Sequence, residues 1–353
     1  MYVAKLSING FRNFSSRKDF VFSPTHTIIV GMNAVGKTNL LEALCFVNKG
    51  KGFRETTSSE LISENKQSAQ VTAILQDEGR TEKISAQLKR VGDSAEKHFL
   101  INDLPKPFKE YKNRTKPVVL FAPTDLDIVI GSPELRRLFV DSILQTVDYE
   151  FLQAKNNYER GLYKRNKMLQ NARFPLSSDA LSIKEFWDNF LRKHASYITE
   201  ARQQFIDFLN NHAFLGDREF RVEYKKNIFS RERIAATTFE EEKYRRTVVG
   251  PQLDDFLLFE IDNHQKERNL AKYGSRSEQR LVVLWLKTNE LLYYDTMFTE
   301  KPLFLVDDIF SELDVDNSRK VLAIAQAYQT CTTTAHKEIL SLVHFPFQKI
   351  ELH

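Results

Sequence analysis

The sequence predicts an α/β fold in which a head of mixed sheets is interrupted by an inserted helical arm. Three observations carry that expectation. A glycine loop at 31–38 stands between an apolar strand and a helix, a second apolar strand at 303–306 ends in Asp307 and Asp308, and a long stretch of helical periodicity separates the two. The expected parts are 1–132 as the first piece of the head, 133–249 as the arm and 250–353 as the second piece of the head.

Taken in order, 2–8 and 27–30 read as strands, and the second runs straight into Gly31. Behind the loop, Leu40, Leu41, Leu44 and Val47 recur at helical spacing, so the local order is strand, loop, helix. Apolar and polar residues then alternate over 70–100, at Val71, Ala73 and Leu75, at Ile84, Ala86 and Leu88, and at Phe99. That is the pattern of antiparallel strands with one wet face. Residues 118–121 read as a buried strand. From Pro133 the spacing turns helical and continues to about Arg173, with a break at 174–178. Ile183, Phe186, Trp187, Phe190, Leu191, Tyr197, Ile198, Ala201, Phe205, Phe208 and Leu209 follow one three-and-four rhythm. The rhythm predicts a single buried stripe of core packing. A looser section runs to about Gly250, after which 256–261 and 303–306 read as strands flanking a helix at 278–294.

With 353 residues, 42% of them hydrophobic, the chain can bury one large or two moderate cores. Cys45 and Cys331 match no metal or disulfide spacing and read as inert thiols in a reducing compartment. No apolar run reaches the roughly 18 residues of a membrane helix and the N-terminus carries no apolar signal region, so a cytoplasmic protein is expected. The net charge of +4 is small enough for an ordinary solvated surface; only local clustering points to a polyanion.

Gly31-Met32-Asn33-Ala34-Val35-Gly36-Lys37-Thr38 fits the P-loop pattern. Small residues let backbone N–H groups wrap a phosphate chain, and the helix N-terminus behind them adds a favourable dipole. Lys37 would reach the β and γ phosphates and the Thr38 hydroxyl would bind Mg²⁺, so ATP with Mg²⁺ is the expected ligand. An apolar strand ending in two carboxylates supplies the other side of such a site. Asp307 would hold the metal, and Asp308 would act as general base or orient the attacking water, its reach shorter than that of a Glu. Gly274-Ser275-Arg276-Ser277-Glu278-Gln279-Arg280 opens the helix before that strand and places a hydroxyl and free N–H groups where an anion could bind; a good helix start is the plainer reading.

In their order, the P-loop, Ser275-x-x-Glu278-Gln279-Arg280, Val306-Asp307-Asp308 and Ser311-Glu312-Leu313-Asp314 resemble the P-loop, signature motif, Walker B strand and D-loop of ABC ATPases. Asn9-Gly10-Phe11-Arg12-Asn13-Phe14, the segments at 121–126 and 131–137, Tyr163-Lys164-Arg165-Asn166 and Gly250-Pro251-Gln252-Leu253-Asp254-Asp255 resemble the RecF family, and these matches span nearly the whole chain. The resemblance implies an ABC-type P-loop ATPase head with a short helical arm, related to SMC proteins. It further implies a weak, DNA-stimulated ATPase acting as an ATP-dependent homodimer in recombinational repair, replication and the SOS response. That dimer would bind double-stranded DNA and gap junctions, and work with RecO and RecR to load RecA, hydrolysis serving as a slow release timer. Residue by residue, Arg12 and Asn13 would approach the nucleotide, and 31–38 with Asn39 would bind it. Ser275 would touch the γ-phosphate of the opposing subunit, and Asp314 would sit across the dimer interface.

Some positions depart from the family pattern: Ser277 stands where a signature glycine is usual, Thr124 where Glu is common, and Gln252-Leu253 where His-Arg is common. A Cβ at 277 would crowd a close phosphate. His336 lies one residue late for an ABC switch histidine, an exposed histidine being the alternative. A transporter nucleotide-binding subunit shares the P-loop, signature and Walker B, but the arm and the 9–14 segment count against it.

Two basic clusters are candidates for DNA. Lys49, Lys51 and Arg54 follow the P-loop helix, and Lys155, Arg160, Lys164, Arg165, Lys167 and Arg173 lie along the first arm helix with only Glu159 among them. For both, a solvated face is the alternative.

Overall fold

The computed structural model describes residues 1–353 apart from Glu78, Pro175, Asn263 and His336, and apart from the side chains of Lys337 and Glu338. The proposed switch position, His336, thus lies outside the described residues. The chain divides into two compact units, Met1–Asp125 with Glu290–His353, and Leu126–Asn289. The cut expected between 249 and 250 falls inside the second unit, and the cut at 132 falls a few residues past its start.

The first unit opens with β1 (Tyr2–Asn9), β2 (Lys18–Val21), β3 (His26–Gly31), α1 (Lys37–Lys49), β4 (Ser68–Asp77), β5 (Arg80–Val91), β6 (Ser94–Ile101), β7 (Leu104–Lys106), α2 (Phe108–Lys112) and β8 (Val118–Phe121). Its antiparallel sheet runs β2-β1-β4-β5-β6-β7. Period-two alternation makes the sheet two-faced: Val71, Ala73 and Leu75 of β4 and Ile84, Ala86 and Leu88 of β5 are buried, while Gln70 and Lys89 are exposed. The buried face joins one core with Leu40, Leu41, Leu44 and Val47 of α1.

The second unit contains α3 (Asp127–Ile130), α4 (Pro133–Val147), α5 (Tyr149–Asn171), α6 (Ser178–Asn211), β9 (Phe214–Leu215), β10 (Arg218–Lys225), α7 (Arg231–Ala236), α8 (Thr238–Tyr244), β11 (Asp255–Ile261), β12 (Glu267–Asn269) and α9 (Leu270–Tyr273). Helix α10 (Arg276–Met297) follows, its residues from Glu290 on belonging to the first unit. The strands form an antiparallel sheet, β12-β11-β10-β9, so β11 is paired to an element of the middle segment. The helical region expected as continuous from Pro133 breaks at Asp148, whose carboxylate accepts from the Phe151 amide at 3.0 Å and caps α5. Helix α6 differs from expectation: Leu191, Ile198, Phe205 and Leu209 are buried, but Ile183 and Phe186 are 49% and 60% exposed. The stripe is core only from Leu191 onward.

The chain re-enters the first unit with β13 (Leu303–Asp307), α11 (Val315–Ala325), β14 (Gln329–Thr334) and β15 (Gln348–Leu352). These strands complete a parallel sheet in the order β15-β3-β14-β13-β8. Every residue of β13 is buried, as expected of a parallel strand covered on both faces.

Candidate nucleotide-binding site

Strand β3 is apolar and buried up to Gly31, then releases the chain into a loop that ends at the first residue of α1. The loop closes through left-handed backbone at Ala34 (φ 68°) and Gly36 (φ 107°). At Gly36 a Cβ would also run into Asn13 Nδ2, so a side chain there would have to displace the Asn13 carboxamide. Helix α1 begins without a side-chain cap, leaving first-turn amides to face the loop. The Lys37 ammonium donates to the carbonyls of Gly31 and Met32, both at 2.8 Å, which folds its head back over the loop.

The segment at 9–14 braces this loop. Asn13 donates through Nδ2 to the Val35 carbonyl at 3.1 Å and accepts from Asn39 Nδ2 at 2.7 Å, so both expected polar residues sit against the phosphate loop. Arg12 adopts a left-handed backbone and directs its guanidinium to Glu42, with Nε to Oε2 at 2.8 Å and Nη2 to Oε1 at 3.1 Å. Arg54, expected on a DNA-facing loop, instead donates from Nη2 to the same Glu42 at 2.8 Å and to Asn39 Oδ1 at 2.5 Å. Glu42 is fully buried. Burial pushes its carboxyl upward, but the hydrogen bonds and charges of Arg12 and Arg54 outweigh that and hold it below the usual range.

Opposite the loop, β13 delivers Asp307. Its Oδ1 accepts from the Thr38 hydroxyl at 2.9 Å and from the Thr333 hydroxyl at 2.7 Å. Burial raises the Asp307 carboxyl above its ordinary range, the two threonines and the Arg54 charge opposing the rise. The Thr333 oxygen also accepts from the Asp308 amide at 3.0 Å, so one hydroxyl on β14 ties both acids in place. Asp308 sits at φ 48°, and its Oδ1 is buried with no hydrogen-bond partner among the described residues. Left-handed backbone together with an orphaned buried acceptor makes Asp308 a candidate functional position. The hydroxyl of Thr38 and the carboxylate of Asp307 are hard oxygen donors in contact, a set that suits Mg²⁺. Glu42 and Thr333 were missed by the sequence reading; a buried acid within a P-loop helix and a threonine-rich strand were the available signals.

Asp314 lies in the same unit, exposed at the N-terminus of α11, accepting from the Asn317 amide at 2.7 Å and from Asn317 Nδ2 at 3.0 Å. Ser275 belongs to the second unit and is exposed. Its amide donates to Glu278 Oε2 at 2.7 Å, and its hydroxyl accepts from the Glu278 amide at 3.3 Å, a reciprocal pair that starts α10.

The basic clusters resolve unequally. Lys49 closes α1 and Lys51 is exposed beside it. Two lysines far away in sequence join them: Lys97 of β6 donates to the Gly50 carbonyl at 2.9 Å, and Lys112 of α2 feels both Lys49 and Lys51. Burial first, and this crowding second, hold the Lys112 ammonium below its ordinary range. On α5, Arg160 and Lys164 are exposed, but Lys155 pairs with Asp141 and Glu159. Arg165 is fully buried, bound to Asp188 at 2.6 Å and to Glu241 at 2.7 Å, so it belongs to the arm core and cannot meet DNA. Asp254 and Asp255 of the Gly250 motif also anchor arginines, Arg202 at 2.7 Å and Arg136 at 2.7 Å.

Residues 2–344 match the RecF/RecN/SMC N terminal domain. The DNA replication and repair protein RecF of Lactococcus lactis subsp. lactis (strain IL1403) is 31% identical over 372 residues, covering 99% of each chain. Among solved structures, that of the recombination mediator protein RecF-ATPrS in the RecFOR pathway superposes with a TM-score of 0.85 at 23% identity, covering 100% of this chain and 96% of that one. An SMC head bound to the C-winged helix domain of ScpA gives 0.55 at 17% identity over 97% and 92%. The phosphate loop, the acid-tipped strand and the inserted arm are thus those of an SMC-type ATPase head, and the chain belongs to the RecF family of DNA replication and repair proteins.

Proposed function

We propose that this chain is an ATP-dependent DNA-binding protein of recombinational repair and replication, acting in the cytoplasm, that closes as a homodimer on Mg·ATP and reopens through slow hydrolysis. The contact of Thr38 with Asp307, locked by Thr333 and followed by the orphaned Asp308 oxygen, carries the reading. Bound there, Mg²⁺ would neutralise charge on the β and γ phosphates. Lys37 would swing its ammonium from the loop carbonyls to the phosphates, while Asn13 and Asn39 keep the loop shaped to receive them. Asp308, with its acceptor already desolvated, would orient the attacking water and take its proton. The exposed Ser275 and Asp314 would complete the site of a second copy, which makes nucleotide binding a clamp.

DNA would engage the clustered Lys49, Lys51, Lys97 and Lys112. Double-stranded and gapped DNA are the proposed substrates, with RecR and RecO as protein partners by family membership. Sizing with and without Mg·ATP tests the clamp. Wild type should dimerise, Lys37→Met should not, and Asp308→Asn should prolong the dimer; a wild type that stays monomeric with Mg·ATP refutes the reading. DNA binding should fall steeply as salt rises, and binding indifferent to salt would exclude phosphate contacts as its source.

A further inference from the structure

Helix α6 is patterned for burial along its length, yet among the described residues nothing covers its first third. Ile183 and Phe186 are 49% and 60% exposed, and Trp187, Phe190 and His194 are half-buried beside them. These five recur at i, i+3, i+4, i+7 and i+11, one face of a helix. Their rings meet edge to face, Phe186 with Trp187 at 5.0 Å, Trp187 with Phe190 at 5.7 Å, and Phe190 with His194 at 4.8 Å. The strip follows the seam with α5: a Cβ on Gly161 would come within 2.9 Å of the Phe190 ring.

The α5 side of the seam is cationic. Arg160, Lys164 and Lys167 form one exposed row, Lys164 standing one turn from Gly161, and among the described residues none of the three has an ion pair. Residues 155–200 hold nine Lys and Arg against five Asp and Glu, an excess equal to the net +4 of the whole chain. An exposed apolar strip of this kind calls for a cover, since apolar surface left in water costs about 25 cal/mol per Å².

The chemistry selects among covers. The spacing accepts the apolar face of another helix, and the row beside it attracts acidic flanks. A second copy of this chain, laid on the same strip by two-fold symmetry, would oppose the two cationic rows. Nucleic acid would satisfy the row but leave Ile183 uncovered, and rings locked edge to face are poor platforms for stacked bases. We propose that the seam of α5 and α6 around Phe186 and Trp187 docks an acidic amphipathic helix of a partner protein. The inference is independent of the ATP clamp.

The test uses the full-length protein and a labelled synthetic helical peptide of about 20 residues with a leucine stripe and glutamate flanks, the length spanning the strip with margin. A lysine-flanked twin and a single-stranded thymidine oligonucleotide serve as comparisons. The glutamate peptide should bind and the lysine twin should not. Phe186→Ser and Lys164→Glu should each weaken binding about tenfold or more, with melting and nucleotide binding unchanged because both side chains are exposed. The proposal is overturned if neither peptide binds, if both bind alike, or if Phe186→Ser binds the glutamate peptide as well as wild type does. It is equally overturned if Phe186→Ser spares peptide binding but abolishes either oligonucleotide binding or self-association.

Discussion

Glu42 shows what a single buried carboxylate does for this head. It receives both guanidinium arms of Arg12 and Arg54 and the backbone amides of Phe53 and Arg54, at 3.3 Å and 3.0 Å. Because its folded carboxyl lies below the ordinary 4.5, the unfolded chain takes up the proton first. The stability it adds is complete above the unfolded value and is lost as pH falls through the folded one. Glu42→Gln should therefore cost on the order of 3 kcal/mol in urea unfolding at pH 7, with the gap to wild type closing in acid. Thr333 makes a second case, since its hydroxyl holds both Asp307 and Asp308. Thr333→Val should weaken Mg²⁺-dependent binding of a fluorescent ATP analogue by about tenfold to a hundredfold while leaving metal-free binding nearly unchanged. Asp308→Asn should retain nucleotide and slow single-turnover hydrolysis by about a hundredfold or more. Such residues were hard to read in the sequence because their meaning lies in partners that the chain brings from afar, Arg12 to Glu42 and Thr38 to Asp307.

Among the elements, regular patterns were legible and phase was not. Alternation over 70–100 located β4, β5 and β6, and the run into Gly31 located β3 and α1. The charge-rich run at 155–173 read as one row, although neighbouring helical residues differ by about 100° in direction. Lys164 therefore points outward while Arg165 turns into the arm, to Asp188 and Glu241. Strand β10 went unrecognised although its buried Phe220 and Val222 alternate with Glu219, Arg221 and Glu223, because only two buried positions carry that alternation. Arg165→Ala should strand Glu241 and destabilise the arm by roughly 3–5 kcal/mol, read as a lower urea midpoint, with no change in the salt slope of DNA binding. If the slope drops instead, Arg165 is a phosphate contact after all.

At the scale of the whole molecule, the order of motifs was enough to place the chain among SMC-type heads, since a loop, an acid-tipped strand and an insertion between them constrain topology strongly. The division into units was less visible. Pairing of β10 with β11 draws residues beyond Gly250 into the second unit, and no local pattern announces a pairing between distant segments. One consequence concerns biosynthesis. Strand β3, which carries the phosphate loop, has β14 and β15 as its two neighbours, so both sides of the strand wait for partners made about 300 residues later. At about 5–20 residues per second, the ribosome needs roughly 15–60 s to close that gap. The sheet that carries the phosphate loop therefore cannot close around β3 until the arm between its strands has been translated.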